Sequence, residues 1–163
     1  MNKEHKREMC CVDAPIWLRI IMGVFFLKTI FLAFWFIPLW DIQDEPGHYS
    51  YIADIANGNG LPVMGEAYFD EDVRENWLKG TWKDHYNLNW IVQHPPFYYA
   101  VNSLILSTAR IVTADSEFLF RITRLLSVVS GTLALFVFYK FFFLVSHDRK
   151  FSLFSVAAIS FIP

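Results

Sequence analysis

The chain has 163 residues, 55% of them apolar and 17 of them phenylalanine, with a formal net charge of −2. Apolar runs this long exclude an ordinary soluble domain and belong to a chain whose solvent is lipid. No basic patch with interleaved aromatics is present, so no nucleic-acid partner is expected, and the adjacent Cys10 and Cys11 lack the spacing of a disulfide framework or a metal site.

Residues 1–15, with Lys3, Lys6 and Arg7, read as a cytoplasmic N-terminus in which the two cysteines are free thiols or juxtamembrane palmitoylation sites. Residues 16–40 form the first apolar run, broken only by the charges of Arg19 and Lys28. A bilayer core of about 30 Å needs about 20 apolar residues at about 1.5 Å rise, so this run is long enough to be a transmembrane helix. It is too long for a signal-peptide core and no small-residue cleavage site follows, which makes it an uncleaved anchor. Trp17 marks its inner interface, and Trp35 and Trp40 its outer one.

Residues 41–121 are predicted to form a large extracytoplasmic loop. Its first part, Asp41 to Pro96, holds ten acidic residues against Arg74, Lys79 and Lys83. Asp44-Glu45-Pro46 predicts a helix start and Asn57-Gly58-Asn59-Gly60 its stop, giving a helix over about 46–57. A second helix is expected over about 96–113, where Asn102, Ser103, Ser107, Thr108 and Arg110 make the segment polar for a membrane span. Residues 122–146 form the next transmembrane run, residues 147–150 a basic cytoplasmic turn, and residues 151–163 the start of a third span. Two cytoplasmic basic segments allow only an even number of crossings between them. The 96–113 segment is therefore read as an interfacial helix, apolar face down, in preference to a third crossing. The fold class expected is all-α: a multi-pass helical membrane protein with a large extracytoplasmic first loop carrying juxtamembrane helices. Thirteen residues after the last turn are too few to span a bilayer, so the chain reads as the N-terminal part of a longer protein.

Three groups of residues carry candidate chemistry. In WDIQDEPGHYSYI, Asp44 stands at a helix N-terminus, whose dipole favours a charged carboxylate. Such a group, with Glu45 beside it, takes a proton from an acceptor hydroxyl or holds a divalent metal through oxygen. The plainer alternative makes Asp44 an N-cap and Glu45 a first-turn dipole partner. In QHPPFYY, the prolines fix the chain's approach to the next helix and bring His94 to the membrane surface, where it suits metal or phosphate. The third group is Arg110, Arg121 and Arg124, guanidinium groups suited to a lipid phosphate or to snorkelling among ordinary headgroups. Lys28 lies inside its span, where it faces the protein interior or snorkels to the cytoplasmic surface. Trp77, Trp82 and Trp90 either stack on sugar rings or rest in the interface, and Asp70-Glu71-Asp72 reads as a solvated turn.

A first span, an Asp-Glu pair in a large outer loop, then His-Pro-Pro-aromatic-Tyr-Tyr opening a helix resembles the C-type (GT-C) membrane glycosyltransferases. The similarity is to the branch containing protein O-mannosyltransferases and the aminoarabinose transferases that modify lipid A. The stretch SEFLFRITRLLSVVSGTLALFVFYKFFFLVSHDRKFSLFSVAAISFIP is also similar, in its order of acidic residue, Arg, Ser, Gly, basic turn and new helix ending in Pro. The resemblance implies transfer of a sugar from a polyprenyl-phosphate (dolichyl-phosphate-type) donor to an acceptor hydroxyl on a lipid, glycan or protein. Asp44 would be the catalytic base or a metal ligand, with Glu45 as its neighbour. His94, Arg121, Arg124 and Tyr49 would be the substrate- or lipid-phosphate-binding residues, either Arg121 or Arg124 facing the donor phosphate. The partners so implied are the donor, the acceptor and membrane lipids, and the location a bacterial inner membrane. A non-catalytic scaffold or partner subunit of the same fold is the alternative.

Overall fold

The computed structural model describes residues 15–42, 44–75 and 88–161. Within them the chain is helical, with one isolated antiparallel bridge, Tyr68 to Leu88, and no strand. Trp77 and Trp82 and both cysteines lie outside the described residues, as do Lys79, Lys83 and Asp84. The helices are α1 (Ile16–Phe31), α2 (Glu45–Ala56), α3 (Phe97–Val112), α4 (Ser116–Ile122), α5 (Leu125–Ser146) and α6 (Arg149–Phe161). A single turn, Glu71–Val73, and a 3₁₀ turn, Trp90–Gln93, lie between α2 and α3.

Two helical stretches, Ile16–Phe36 and Ser116–Ser146, are long and apolar enough to cross a membrane. The α5 sequence has no preferred apolar side, and of its 22 residues only Val128, Leu135 and Tyr139 are buried.

Both boundaries differ from those expected. The first run was predicted to be helical to residue 40. Instead Leu32–Phe36 winds as a π turn and Ile37 is extended, as a residue before proline tends to be. The second helical stretch begins at Ser116 rather than at 122. Asp115 caps it, its Oδ1 accepting the Glu117 and Phe118 amides at 3.0 and 3.4 Å. The stretch breaks at Thr123–Arg124.

The chain divides into two compact units. The first, residues 1–30 and 127–163, comprises most of α1 and α5 with α6. Leu18, Leu135, Tyr139 and Val156 form its core, with Met22, Phe25 and Phe142 against it. A Cβ added at Gly131 would lie 3.5 Å from the Phe25 ring, an ordinary packing contact. His147, in the left-handed region at φ 56°, ends α5, and the Asp148 carboxylate accepts the Lys150 and Phe151 amides to start α6. Lys28 Nζ donates to the Ser160 carbonyl at 2.6 Å and stands 5.2 Å from the Phe25 ring centre. Of the two roles open to this lysine, the structure has the inward one.

The second unit, residues 31–126, packs α2 against α3. Tyr49, Ile52 and Ala53 of α2 meet Tyr99 and Leu106 of α3 and Leu119 and Phe120 of α4 in one core. Several of its polar groups are paired across long sequence separations. Asn102 Nδ2 donates to the Thr123 carbonyl at 2.7 Å, taking up a group at the helix break. Asn89 Nδ2 donates to the Gly47 carbonyl at 3.0 Å while its Oδ1 accepts the Ile91 amide at 3.0 Å. Gly47 is required there: a Cβ would fall 2.5 Å from Ile91 Cγ1 and 2.9 Å from Asn89 Oδ1. Ser50 Oγ donates to the Pro46 carbonyl and accepts the Asp70 amide, tying the Glu71–Val73 turn to α2.

Candidate functional site

The residues singled out at the start of α2 separate into two environments. Glu45 is drawn inward. Both its oxygens face the Arg124 guanidinium, Nη2 lying 2.9 Å from Oε2, and Oε2 also accepts the Trp40 amide at 2.8 Å. Arg124 further donates to the carbonyls of Ala33, Ile37 and Pro38 at 2.6–3.0 Å. Each member of the pair is 13% exposed in its side chain. The guanidinium fork is thus filled by one carboxylate and three carbonyls where the π turn runs out. Charge-assisted, two-pronged bonds of this kind are the strong ones. The clamp also holds Trp40 at φ 67°, a backbone position that costs a non-glycine residue about 1–3 kcal/mol. The Trp40 ring is wedged edge-on against Phe120 at 4.6 Å.

Asp44 faces outward. It is the N-cap residue of α2, yet its carboxylate makes no capping bond. Among the described residues its side chain has one hydrogen bond, from Trp90 Nε1 at 3.3 Å, and it is exposed. Neither plain reading of the Asp-Glu pair therefore holds for both residues. Glu45 is a buried ion-pair partner rather than a second reactive carboxylate, and Asp44 is left open.

His48, one turn after Asp44, joins this site. Its Nδ1 lies 2.8 Å from the Tyr99 hydroxyl, and its ring stacks on the Tyr99 ring at 5.8 Å and meets the His94 ring edge-on at 5.6 Å. Tyr99 in turn stacks on Tyr51 at 3.9 Å and 8°. Burial first, and His94 second, push the His48 pKa below its ordinary value, against the upward pull of Asp44 and Glu45. Burial pushes the Tyr99 hydroxyl up to about 12. His94 is exposed, set at the end of the 3₁₀ turn by a bond from its amide to the Ile91 carbonyl. The Asp44 and His94 segments meet here, bridged by a histidine and a tyrosine that the sequence did not single out as a pair. The Asp44-to-His48 spacing of four within a helix was the available signal.

The remaining candidates do not face this opening. Tyr49 is 2% exposed and packs on Phe120 and Trp40. Burial raises its hydroxyl to about 12. Expected to contact substrate or phosphate, it is a core residue, because its position on α2 turns it toward α4. Arg121 donates from Nε and Nη2 to Glu117 Oε1 and from Nη1 to the Ile37 carbonyl at 3.3 Å. Arg110 Nη1 donates to Asn57 Oδ1 at 2.6 Å. Of the two residues expected to hold a metal, Glu45 has both oxygens on Arg124 and Asp44 is exposed. Among the described residues no group of three or more His, Cys, Asp or Glu side chains is gathered to hold an ion.

No family model, curated protein or solved structure matches the chain.

Proposed function

We propose that this chain is the N-terminal part of a multi-pass GT-C-type membrane glycosyltransferase, residues 41–121 being extracytoplasmic and the basic ends of the spans cytoplasmic. In this reading it moves a sugar from a polyprenyl-phosphate donor in a bacterial inner membrane to an acceptor hydroxyl. The acceptor oxygen attacks C1, the bond from C1 to the phosphate oxygen breaks with inversion, and the lipid phosphate leaves with the bonding electrons. Asp44 accepts the acceptor's proton. The observation that carries this reading is the exposed Asp44 carboxylate, spared from helix capping and directed by a single Trp90 bond, in a unit joined to two membrane-length helices.

The leaving phosphate needs cationic stabilisation more than a general acid. Of the two arginines considered, Arg121 is the better candidate. Its carboxylate partner, Glu117, is 65% exposed and free to swing away, whereas Arg124 is locked by four internal acceptors.

The test is transfer from a panel of polyprenyl-phosphate sugars by the complete reading frame in proteoliposomes, comparing wild type with Asp44→Asn. The proposal expects a loss of about a hundredfold to ten-thousandfold with unchanged thermal unfolding. Undiminished transfer removes Asp44 from the chemistry. The alternative, a non-catalytic scaffold or partner subunit of the same fold, is favoured by the internal engagement of both arginines. Failure of the wild type with every donor would select it.

A further inference from the structure

Helix α3 is turned inside out. Its buried positions are Tyr99, Asn102, Ser103 and Leu106, two of them polar. Asn102 Nδ2 is bonded to the Thr123 carbonyl, and Ser103 Oγ to the Ala100 carbonyl at 2.8 Å. Its outward positions include Phe97, Leu104, Ile111 and Val112, which are 81, 68, 85 and 84% exposed. Phe97, Leu104 and Ile111 recur every seven residues and so share one stripe of the helix. A soluble helix has the opposite arrangement.

The polar groups of α3 are also withdrawn from that stripe. Arg110, its one charged residue, reaches aside to Asn57. Thr108 Oγ1 donates back to the Leu104 carbonyl at 2.7 Å and offers no donor outward. Beside the stripe runs an open groove of about 480 Å³, lined by Leu104, Ile105, Thr108 and Val112 of α3 and by Phe118 and Ile122 of α4. Exposed apolar surface of this continuity marks a binding face. Phe118 and Ile122 belong to the 31-residue stretch Ser116–Ser146 that is long and apolar enough to cross a membrane. The groove is therefore walled on one side by the start of a helical stretch long and apolar enough to cross a membrane.

We propose that the outward stripe of α3 and the groove it forms with α4 are filled by acyl chains of the surrounding bilayer. On this assignment α3 is a wedge lying in the interface with its polar side toward protein. The assignment rests on the membrane reading of the helices and not on the glycosyltransferase chemistry, so it stands if Asp44→Asn leaves transfer undiminished.

The experiment uses the full chain with Cys10 and Cys11 replaced by serine, in nanodiscs of phosphatidylcholine and phosphatidylglycerol. Single cysteines carrying a nitroxide are placed at Leu104→Cys, Ile111→Cys and, as an aqueous reference, Glu66→Cys, with helicity checked by circular dichroism. Collision rates with oxygen, which partitions into lipid, are compared with those of a nickel chelate, which stays in water. The proposal expects an oxygen-to-nickel ratio several-fold higher at residues 104 and 111 than at residue 66. Equal ratios at all three sites would overturn it by putting the stripe in water. Low access to both reagents at 104 and 111, with dipolar coupling between labels on separate copies, would overturn it in favour of a protein-protein face.

Discussion

Arg124 and Lys28 are cations beside apolar helices, one in each unit, and they are held in different ways. Arg124 meets a carboxylate and three carbonyls, so its charge is neutralised and its donors are used. Lys28 meets one carbonyl and one ring face. The same contrast runs through the units. Residues 31–126 are organised by hydrogen bonds that join distant segments, such as Asn89 to Gly47 and Asn102 to Thr123. The core of the other unit is Leu18, Leu135, Tyr139 and Val156, where the Tyr139 hydroxyl is buried without a partner, as Asn102 Oδ1 is in residues 31–126. Polar pairing fixes one arrangement because each buried group left unpaired is costly. Apolar packing is more forgiving of substitution at constant volume.

The largest expected effect breaks the polar side of that contrast. Arg124→Met strands the Glu45 carboxylate and the Ala33 and Pro38 carbonyls, Ile37 keeping its bond from Arg121, and should cost about 3–5 kcal/mol, as removal of one partner of a buried pair does. Denaturant unfolding in detergent micelles measures it. Adding Glu45→Met should recover much of the loss, because the stranded charge goes with its partner. A single-variant cost below about 1 kcal/mol, the range of a surface pair, would show that the clamp is not what holds the end of the first helical stretch to α2. Gly47→Ala comes next. The new methyl would overlap Ile91 and Asn89, and overpacking of this kind costs about 1–3 kcal/mol. Loss of the Asn89 bonds should show as faster amide exchange at Ile91.

Lys28→Met is the counterpart in the apolar unit, and its effect should be small. The lost bond to the Ser160 carbonyl is worth about 1.5–3 kcal/mol, and the removed burden of desolvating an ammonium is of similar size. A net change within about 1 kcal/mol is expected in the same unfolding assay. A loss as large as that of Arg124→Met would erase the distinction between the units.

The sequence displayed what depends on neighbours along the chain. Asp44-Glu45-Pro46 and Asn57-Gly58 bracket α2, and the apolar stretches mark both membrane-length helices. What it could not display depends on residues far apart. Glu45 and Arg124 are 79 positions apart, and His48 and Tyr99 are 51. Adjacent Asp44 and Glu45 look equivalent in one dimension, but successive residues at a helix start point about 100° apart. One therefore turns to solvent and the other to Arg124. The early end of the first stretch has a similar cause, since Leu32–Phe36 is as apolar as what precedes it and only Pro38 hints at the stop.

The smallest effect expected is the pH dependence set by His48, which tests whether the Asp44 side of the second unit is coupled to its core. Burial and His94 hold the folded-state pKa of His48 below its ordinary 6.5. The unfolded chain therefore takes up the proton more readily than the folded one. The contribution of His48 is intact above about pH 6.5 and is lost as pH falls through the lower folded value. Asp54 and Asp70 slope the other way. Burial raises both above the ordinary 3.8, so their contribution is intact at low pH and declines as pH rises through their folded values. Tyr99, protonated until about pH 12, shares a hydrogen bond with Nδ1 whose direction follows the tautomer, and a proton arriving at Nδ1 would make that nitrogen the donor. Thermal midpoints at about pH 7.5 and about pH 5.5 should fall further for wild type than for His48→Gln, and Asp70→Asn should leave that difference unchanged. If His48→Gln loses as much on acidification as wild type does, the ring is not sealed by Tyr99 and Tyr51, and the site beside Asp44 opens without disturbing the core.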